Sequence, residues 1–89
     1  MMTIEDGDKF WTVKGKLHRI GGPALECANG DKEWHLNDKL HRTDGPAVED
    51  ANGYRSWWLY GRRYKLDEWL IENKTLTDEK KVMMKLQYG

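Results

Sequence analysis

Residues 11–33 read WTVKGKLHRIGGPALECANGDKE and residues 34–56 read WHLNDKLHRTDGPAVEDANGYRS, so the chain repeats itself with a period of 23 residues. Twelve of these 23 positions are identical without a gap. The period continues into a degenerate third unit, residues 57–65, which starts with Trp57 and ends in Tyr64-Lys65 where the first two units have His-Arg. Such a period is typical of stacked supersecondary units, none of which buries its apolar face alone.

The turn residues and the alternation of side chains predict that each unit is a β-hairpin. Asn29-Gly30 and Asn52-Gly53 are dipeptides that tight hairpin turns favour. Each is followed by a Trp and an aliphatic residue two positions later, as in Trp34 and Leu36, which share one face of a strand. We therefore predict a mainly β fold, an antiparallel β-meander of 23-residue hairpin repeats over residues 7–65. Its core is expected to hold the tryptophans that begin the units, with the middle one, Trp34, buried between two flanking hairpins.

The pattern changes after Lys65 and predicts a helical C-terminal cap over residues 66–89. Asp67 is a suitable N-cap for a short helical turn that ends at Asn73. Thr77 is a suitable N-cap for a second helix. The apolar stripe of that helix is expected to be Val82, Met83 and Leu86. Repeats and cap together are predicted to form a single domain over residues 1–89.

Composition and charge exclude several classes of protein. The 89 residues carry 15 Lys and Arg against 15 Asp and Glu, which argues against a generally polybasic nucleic-acid binder and against an acidic DNA mimic. Aromatic residues make up 11%, unlike a disordered chain. The single Cys27 excludes an internal disulfide and a cysteine-rich zinc site. With no visible secretory signal or membrane span, a cytoplasmic setting is expected, that of the host if the protein is encoded by a phage.

The string W-x-x-x-G-x-x-H-R-x-x-G-P-A, followed by an Asn-Gly turn, resembles the MORN-like hairpin repeats found in proteins of tailed bacteriophages and large viruses. The match covers residues 7–65, about two-thirds of the chain, and is carried by His18-Arg19 and His41-Arg42 with the Gly-Pro-Ala segments that follow. The resemblance implies an architecture and leaves the function open, since repeat scaffolds host many binding roles. A phage origin would imply a small accessory factor that acts on host machinery.

The histidines His18 and His41, with His35 as a third, are the candidates for chemistry. Paired histidines serve as metal ligands or as an acid–base couple, so a small nuclease centred on His18 and His41 is one reading. The other readings are surface binding and a structural role, in which the His-Arg pair bonds to the following Gly-Pro turn or to a neighbouring Glu. Because the pair recurs in each unit whereas an active site is normally built once, we favour the structural role and predict no catalytic residue, no metal and no cofactor.

Basic residues recur with the same period and are predicted to form a stripe along one edge of the sheet. Cations interleaved with aromatic rings are what RNA or single-stranded DNA binding uses, and they equally suit a protein partner. Glu26, Glu49 and Asp50 are positioned to neutralise part of the stripe. The candidate binding residues are Lys16, His18, Arg19, Lys39, His41, Arg42, Arg62, Arg63, Tyr64 and Lys65.

Two aromatic residues, Trp58 and Tyr60, fall on the strand face opposite to Trp57. They are expected to contact the C-terminal helices through Trp69, a second subunit, or an external ligand. An open sheet edge and spare aromatics favour a homodimer, with an interface predicted at Trp58, Tyr60, Met83 and Met84.

These features together predict a non-enzymatic binding module without membrane contact. The first expectation is a phage-type accessory protein that inhibits or modulates a host defence factor by occupying its surface. The second is an RNA-binding antagonist of a host defence or toxin–antitoxin system that uses the basic stripe.

Overall fold

The computed structural model describes residues 1–89 and contains ten β-strands followed by two α-helices. None of its helices has the length and apolar character needed to cross a membrane. The elements are β1 Met2–Glu5, β2 Asp8–Val13, β3 Lys16–Leu17, β4 Leu25–Glu26, β5 Lys32–Glu33, β6 His35–Leu36, β7 Lys39–Leu40, β8 Val48–Glu49, β9 Arg55–Leu59, β10 Arg62–Tyr64, α1 Leu66–Glu72 and α2 Asp78–Tyr88.

Eight strands form one sheet in the order β1-β2-β4-β5-β8-β9-β10, with β3 paired to β2, and β6 pairs with β7 in a separate hairpin. All pairs described by the register are antiparallel. The predicted antiparallel meander with a helical cap is therefore confirmed. The register sets charges of alternating sign opposite one another across five strands, which stabilises neighbouring strands; the residues are Lys9, Glu26, Lys32, Glu49 and Arg55.

The 23-residue period is visible in the hydrogen bonds as well as in the sequence. The N–H of Trp11 donates to the carbonyl of Ala24 at 2.8 Å, and the N–H of Trp34 donates to that of Ala47 at the same distance. Both alanines are completely buried. In both units the repeated Ala therefore accepts the backbone hydrogen bond of the Trp that begins its own unit.

The turns differ in kind between the two ends of each unit. Asn37 and Asp38 both have positive φ, 49° and 66°, as a two-residue hairpin turn requires. At Asn29-Gly30 only the glycine has positive φ, and the loop closes through the N–H of Cys27 and the carbonyl of Asp31 at 2.8 Å. The dipeptide thus marks a three-residue loop ending in a glycine bulge, rather than the tight turn expected from the sequence.

The buried apolar core lies at the C-terminal end of the sheet and contains Trp57, Leu59, Trp69 and Leu70. The prediction that Trp34 is buried between the two flanking hairpins was wrong, since Trp11 and Trp34 are only half-buried. The reason is that the repeats form a single layer, and only the third unit is covered by helices. The contact expected between Trp69 and Trp58 is made by Trp57, whose ring centroid lies 4.7 Å from that of Trp69.

Helix α1 begins at Leu66, earlier than the predicted cap at Asp67. The residue before it, Lys65, is extended, and its N–H donates to the Glu68 carboxylate at 3.1 Å, so the first turn closes there. Asn73 ends the helix as predicted.

Helix α2 is capped as predicted by Thr77, whose hydroxyl accepts the N–H of Lys80 at 3.2 Å. Its expected buried stripe of Val82, Met83 and Leu86 was wrong, because these side chains are 58%, 60% and 82% exposed. Met84 and Tyr88, four residues apart, pack against the core instead.

Candidate binding surface

In the first unit, the repeated Arg forms a lid over the repeated Trp. The guanidinium carbon of Arg19 lies 3.8 Å from the ring centroid of Trp11. Its Nη1 donates to the carbonyl of Pro23 at 3.0 Å and lies 3.6 Å from the carboxylate of Glu26. A Cβ added to Gly22 would lie 2.9 Å from the guanidinium carbon, so any larger residue here would push the guanidinium out of its present position.

The second unit repeats this arrangement with the same distances. Arg42 lies 3.8 Å above Trp34, donates to the carbonyl of Pro46 at 3.0 Å and lies 3.6 Å from Glu49. Its Nε also donates to Asp44 at 2.8 Å. The H-R-x-x-G-P-A string is thus the sequence of a stacked, hydrogen-bonded arginine, and the two arginines are largely engaged within the fold. The expectation that the His-Arg pair bonds to the following Gly-Pro turn or to a neighbouring Glu is confirmed for the arginines, which donate to the carbonyls of Pro23 and Pro46.

The two repeated histidines hold the turn of the following unit. Nδ1 of His18 accepts the N–H of Asn37 at 3.1 Å, and Nδ1 of His41 accepts the N–H of Tyr60 at 2.9 Å. Both donors are turn residues with a φ of 49°. Because Nδ1 accepts, the proton of each neutral imidazole resides on Nε2. Burial lowers the pKa of His41, which favours this neutral form.

The third histidine has a different environment. His35 is buried and its Nε2 lies 2.9 Å from the carboxylate of Glu33, while its Nδ1 is buried without a hydrogen-bond partner. No group of three or more His, Cys, Asp or Glu side chains is arranged to hold a metal ion. The three histidines thus have three different hydrogen-bond partners: the N–H of Asn37, the N–H of Tyr60 and the Glu33 carboxylate.

The third unit replaces the arginine lid with the helical cap. Trp57 is covered by Trp69 at 4.7 Å and by Tyr88 at 5.1 Å between ring centroids. Asn73 anchors the cap to the second unit by donating from Nδ2 to the carbonyl of Thr43 at 2.7 Å. The position that holds Arg19 and Arg42 in the earlier units is now Lys65, which precedes helix α1 and lies exposed.

The arginines and the lysine of the third unit therefore do not stack on a tryptophan ring. Arg62 and Arg63 are exposed neighbours in β10 and point to opposite faces of the strand. The guanidinium of Arg62 lies 5.4 Å from the ring of Tyr64, and Nη2 of Arg63 donates to the hydroxyl of Tyr54. We call the following set the C-terminal basic surface: Arg55, Tyr60, Arg62, Arg63, Tyr64 and Lys65.

Three clefts open along the C-terminal basic surface. One, of about 540 Å³, is lined by His41, Tyr60 and Arg62 and by the end of helix α1. Tyr60 is 72% exposed, and its ring lies 4.1 Å from that of His41. A second, of about 600 Å³, is lined by Arg55, Arg63 and Lys65, among others. The third, of about 380 Å³, is lined by both Arg62 and Arg63 and also by Glu68 and Glu72. Clefts with exposed aromatic and guanidinium groups match the composition of interaction hot spots.

The basic stripe expected from the sequence is thus divided. Lys16 and Lys39 lie exposed on β3 and β7, whereas Arg19 and Arg42 are half-buried and lie 3.6 Å from the carboxylates of Glu26 and Glu49. Arg55 and Tyr54 were missed by the sequence analysis because both precede the third unit. Strand alternation would have indicated Tyr54, because it shares a face with Trp58. The register then sets Trp58 directly opposite Arg63.

The four residues of the predicted dimer interface do not form one patch. Trp58 lies half-buried on β9, with Nε1 donating to the Ser56 hydroxyl at 2.8 Å. Met84 packs against the core on the face of Trp57, opposite to that of Trp58, while Met83 points outward from α2 and is 60% exposed. Only Tyr60 lies beside a cleft of the C-terminal basic surface.

Comparison of the chain with protein-family models, with curated proteins and with solved structures found no match. The candidate surface therefore rests on the geometry of this chain.

Proposed function

We propose that this protein is a non-enzymatic binding module that uses its C-terminal basic surface to occupy the surface of a protein partner. In the setting implied by its resemblance to MORN-like phage repeats, it acts in the host cytoplasm as an accessory protein that inhibits or modulates a host defence factor. The observation that carries the proposal is the difference between the third unit and the first two. In the third unit the cations do not stack on a tryptophan, and they lie exposed beside Tyr60 and Tyr64.

The partner is a protein with an acidic patch. A nucleic-acid strand is normally tracked by several spaced cations, and the net charge of zero leaves little long-range attraction for phosphates. Arg19 and Arg42 are paired with Glu26 and Glu49, so they add little to such a track. A compact cluster of Arg and Tyr at one end of the molecule suits the few dominant anchors of a protein interface.

RNA is the second candidate, and a specific observation favours it. Arg62 lies beside the ring of Tyr64, and Arg63 beside the ring of Tyr54, which combines phosphate contacts with stacking platforms. In this case the protein antagonises a defence or toxin–antitoxin system by binding its RNA.

A nuclease centred on His18 and His41 has less support. Each of these imidazoles uses Nδ1 to hold a backbone N–H of the next unit, as a structural residue does. An acid–base couple requires two groups that converge on one reacting atom, whereas these two histidines bond to separate turns.

The experiment is affinity capture from a bacterial lysate, with and without ribonuclease. It compares the wild type with Arg62→Ala/Arg63→Ala and with the charge-matched control Lys16→Ala/Lys39→Ala. The proposal predicts a protein that is retained by the wild type and by the control after ribonuclease treatment, and lost by the arginine variant. Loss of all retention after ribonuclease would favour RNA, and equal retention by both variants would exclude the C-terminal basic surface.

A further inference from the structure

Strand β1 is an unprotected edge of the sheet. It is the terminal strand of the sheet order and pairs only with β2. Its residues, Met2-Thr3-Ile4-Glu5, are all exposed; they include no Lys or Pro, and the one charged side chain, Glu5, lies at the end of the strand. Met2 and Ile4, on one face, are 46% and 59% exposed. At the other end of the repeats the helices cover Trp57, so the two ends of the array differ.

The hydrogen bonds of β1 show which of its backbone groups are free. Met1 and Thr12 exchange backbone hydrogen bonds, with the N–H of Thr12 donating to the Met1 carbonyl at 2.8 Å. In an antiparallel pair these bonds alternate along the strand. The backbone groups of Thr3 therefore point towards β2, as do those of Met1. The N–H and C=O groups of Met2 and Ile4 point away from the sheet.

We propose that β1 binds β1 of a second copy of this chain, antiparallel and edge to edge, with Thr3 directly opposite Thr3 of the second copy. In this register Met2 of each copy lies opposite Ile4 of the other. The outward N–H and C=O groups of these residues then exchange four hydrogen bonds across the twofold axis. The apolar side chains of Met2 and Ile4 meet on one face, and the two Thr3 side chains meet on the other.

A shift by one residue and a shift by two towards the turn both fail on geometry. A shift by one residue would set outward-pointing backbone groups opposite inward-pointing ones and would mix the two faces. A shift by two would centre the pair on Ile4 and set Met2 opposite Asp6, which is a turn residue with a φ of 52° and cannot continue the strand. The Thr3-centred register is therefore the one that the strand satisfies along its whole length.

The expected assembly is a closed dimer. The twofold contact uses the β1 edge of both copies, so no equivalent edge remains for a third. A contact of one short strand per copy is at the small end of specific interfaces, so the dimer is expected to be in rapid exchange with the monomer. The contact involves none of Trp58, Tyr60, Met83 or Met84, and it leaves the C-terminal basic surface free.

Sedimentation velocity of the 89-residue chain, from about 10 to about 1000 µM, tests the association. The wild type is expected to shift from monomer to dimer and to form nothing larger. Ile4→Lys, which sets a charge at the edge, is expected to weaken the association at least about tenfold. The matched control Ile71→Lys changes a residue of α1 that is 64% exposed and should associate as the wild type does. A wild type that remains monomeric throughout, or an Ile4→Lys variant that associates equally, would overturn the proposal.

Disulfide trapping tests the register independently. In a Cys27→Ser background, Thr3→Cys is expected to form a disulfide-linked dimer under mild oxidation. Directly opposite Cα atoms of a pair without backbone hydrogen bonds are about 4.5 Å apart, within the range of a disulfide. Ile4→Cys is expected to cross-link at least about tenfold more slowly, because the second copy presents Met2 at that point. Faster cross-linking of Ile4→Cys would overturn the Thr3-centred register.

Discussion

The arginine lid of the second unit gives the sharpest stability prediction, Arg42→Ala. The wild-type guanidinium lies 3.8 Å above Trp34, donates to the Pro46 carbonyl at 3.0 Å, and its side chain is only 18% exposed. A partly desolvated cation–π contact contributes about 1–2 kcal/mol, and a hydrogen bond from a charged donor about 1.5–3 kcal/mol. Allowing for overlap between these contributions, we expect a loss of about 2–4 kcal/mol in the free energy of unfolding.

A loss of this size is a large fraction of the stability that a domain of this length normally has, about 4–13 kcal/mol. The assay is urea denaturation followed by tryptophan fluorescence, with a thermal melt alongside. Arg42→Lys keeps the charge but loses the planar stack on Trp34. It should therefore lower the free energy of unfolding by more than half as much as Arg42→Ala does. Arg63→Ala, at an exposed site, should change the unfolding free energy by less than about 0.5 kcal/mol. If the unfolding free energy of Arg42→Ala lies within about 0.5 kcal/mol of that of the wild type, the lid does not stabilise the fold and the reasoning is refuted.

Three further predictions concern the lid, the helical cap and a buried histidine. Gly45→Ala would set a Cβ 2.7 Å from the Arg42 guanidinium carbon, so it should displace the lid and cost about 1–2 kcal/mol in urea denaturation, less than Arg42→Ala. Trp69→Ala removes a fully buried side chain that covers Trp57 and should cost about 3–5 kcal/mol, measured by the thermal melt. Burial lowers the pKa of His41, so the unfolded chain binds more protons than the folded one just below the ordinary histidine pKa of about 6.5. Stability should therefore fall as the pH is lowered from about 7.5 to about 5.5, and His41→Gln should show a smaller fall, whereas an equal fall would assign it to another group.

The sequence predicted the repeat, its hairpins and the helical cap, because these depend on local patterns. The sequence itself shows the 23-residue period. The Gly-containing turns, and the alternation of side chains around residues such as Trp34 and Leu36, can be recognised from residues close together in the chain. The second helix was predicted correctly at its cap, Thr77, because an N-cap is a local hydrogen bond.

The lid and the docking face of the second helix could not be predicted in the same way. Arg42 and Arg62 were both predicted to be surface cations, because only the structure shows that the H-R-x-x-G-P-A string around Arg42 stacks its arginine on Trp34. The distinction depends on a contact between residues eight positions apart. Likewise, α2 carries apolar residues on two sides, and contact with Trp57 decides that Met84 and Tyr88 face inward.

The most direct test of the divided stripe is the affinity of the captured partner protein for three purified forms of the chain: the wild type, Arg62→Ala/Arg63→Ala and Lys16→Ala/Lys39→Ala. Both variants remove two positive charges and should melt within a few degrees of the wild type, because all four side chains are exposed. Loss of hot-spot arginines should raise the dissociation constant of the first variant by about 30-fold or more, and that of the lysine control by less than about threefold. If both variants bound the partner equally weakly, the binding cations would not be confined to the C-terminal basic surface. A continuous basic stripe along all three units would then be the better account.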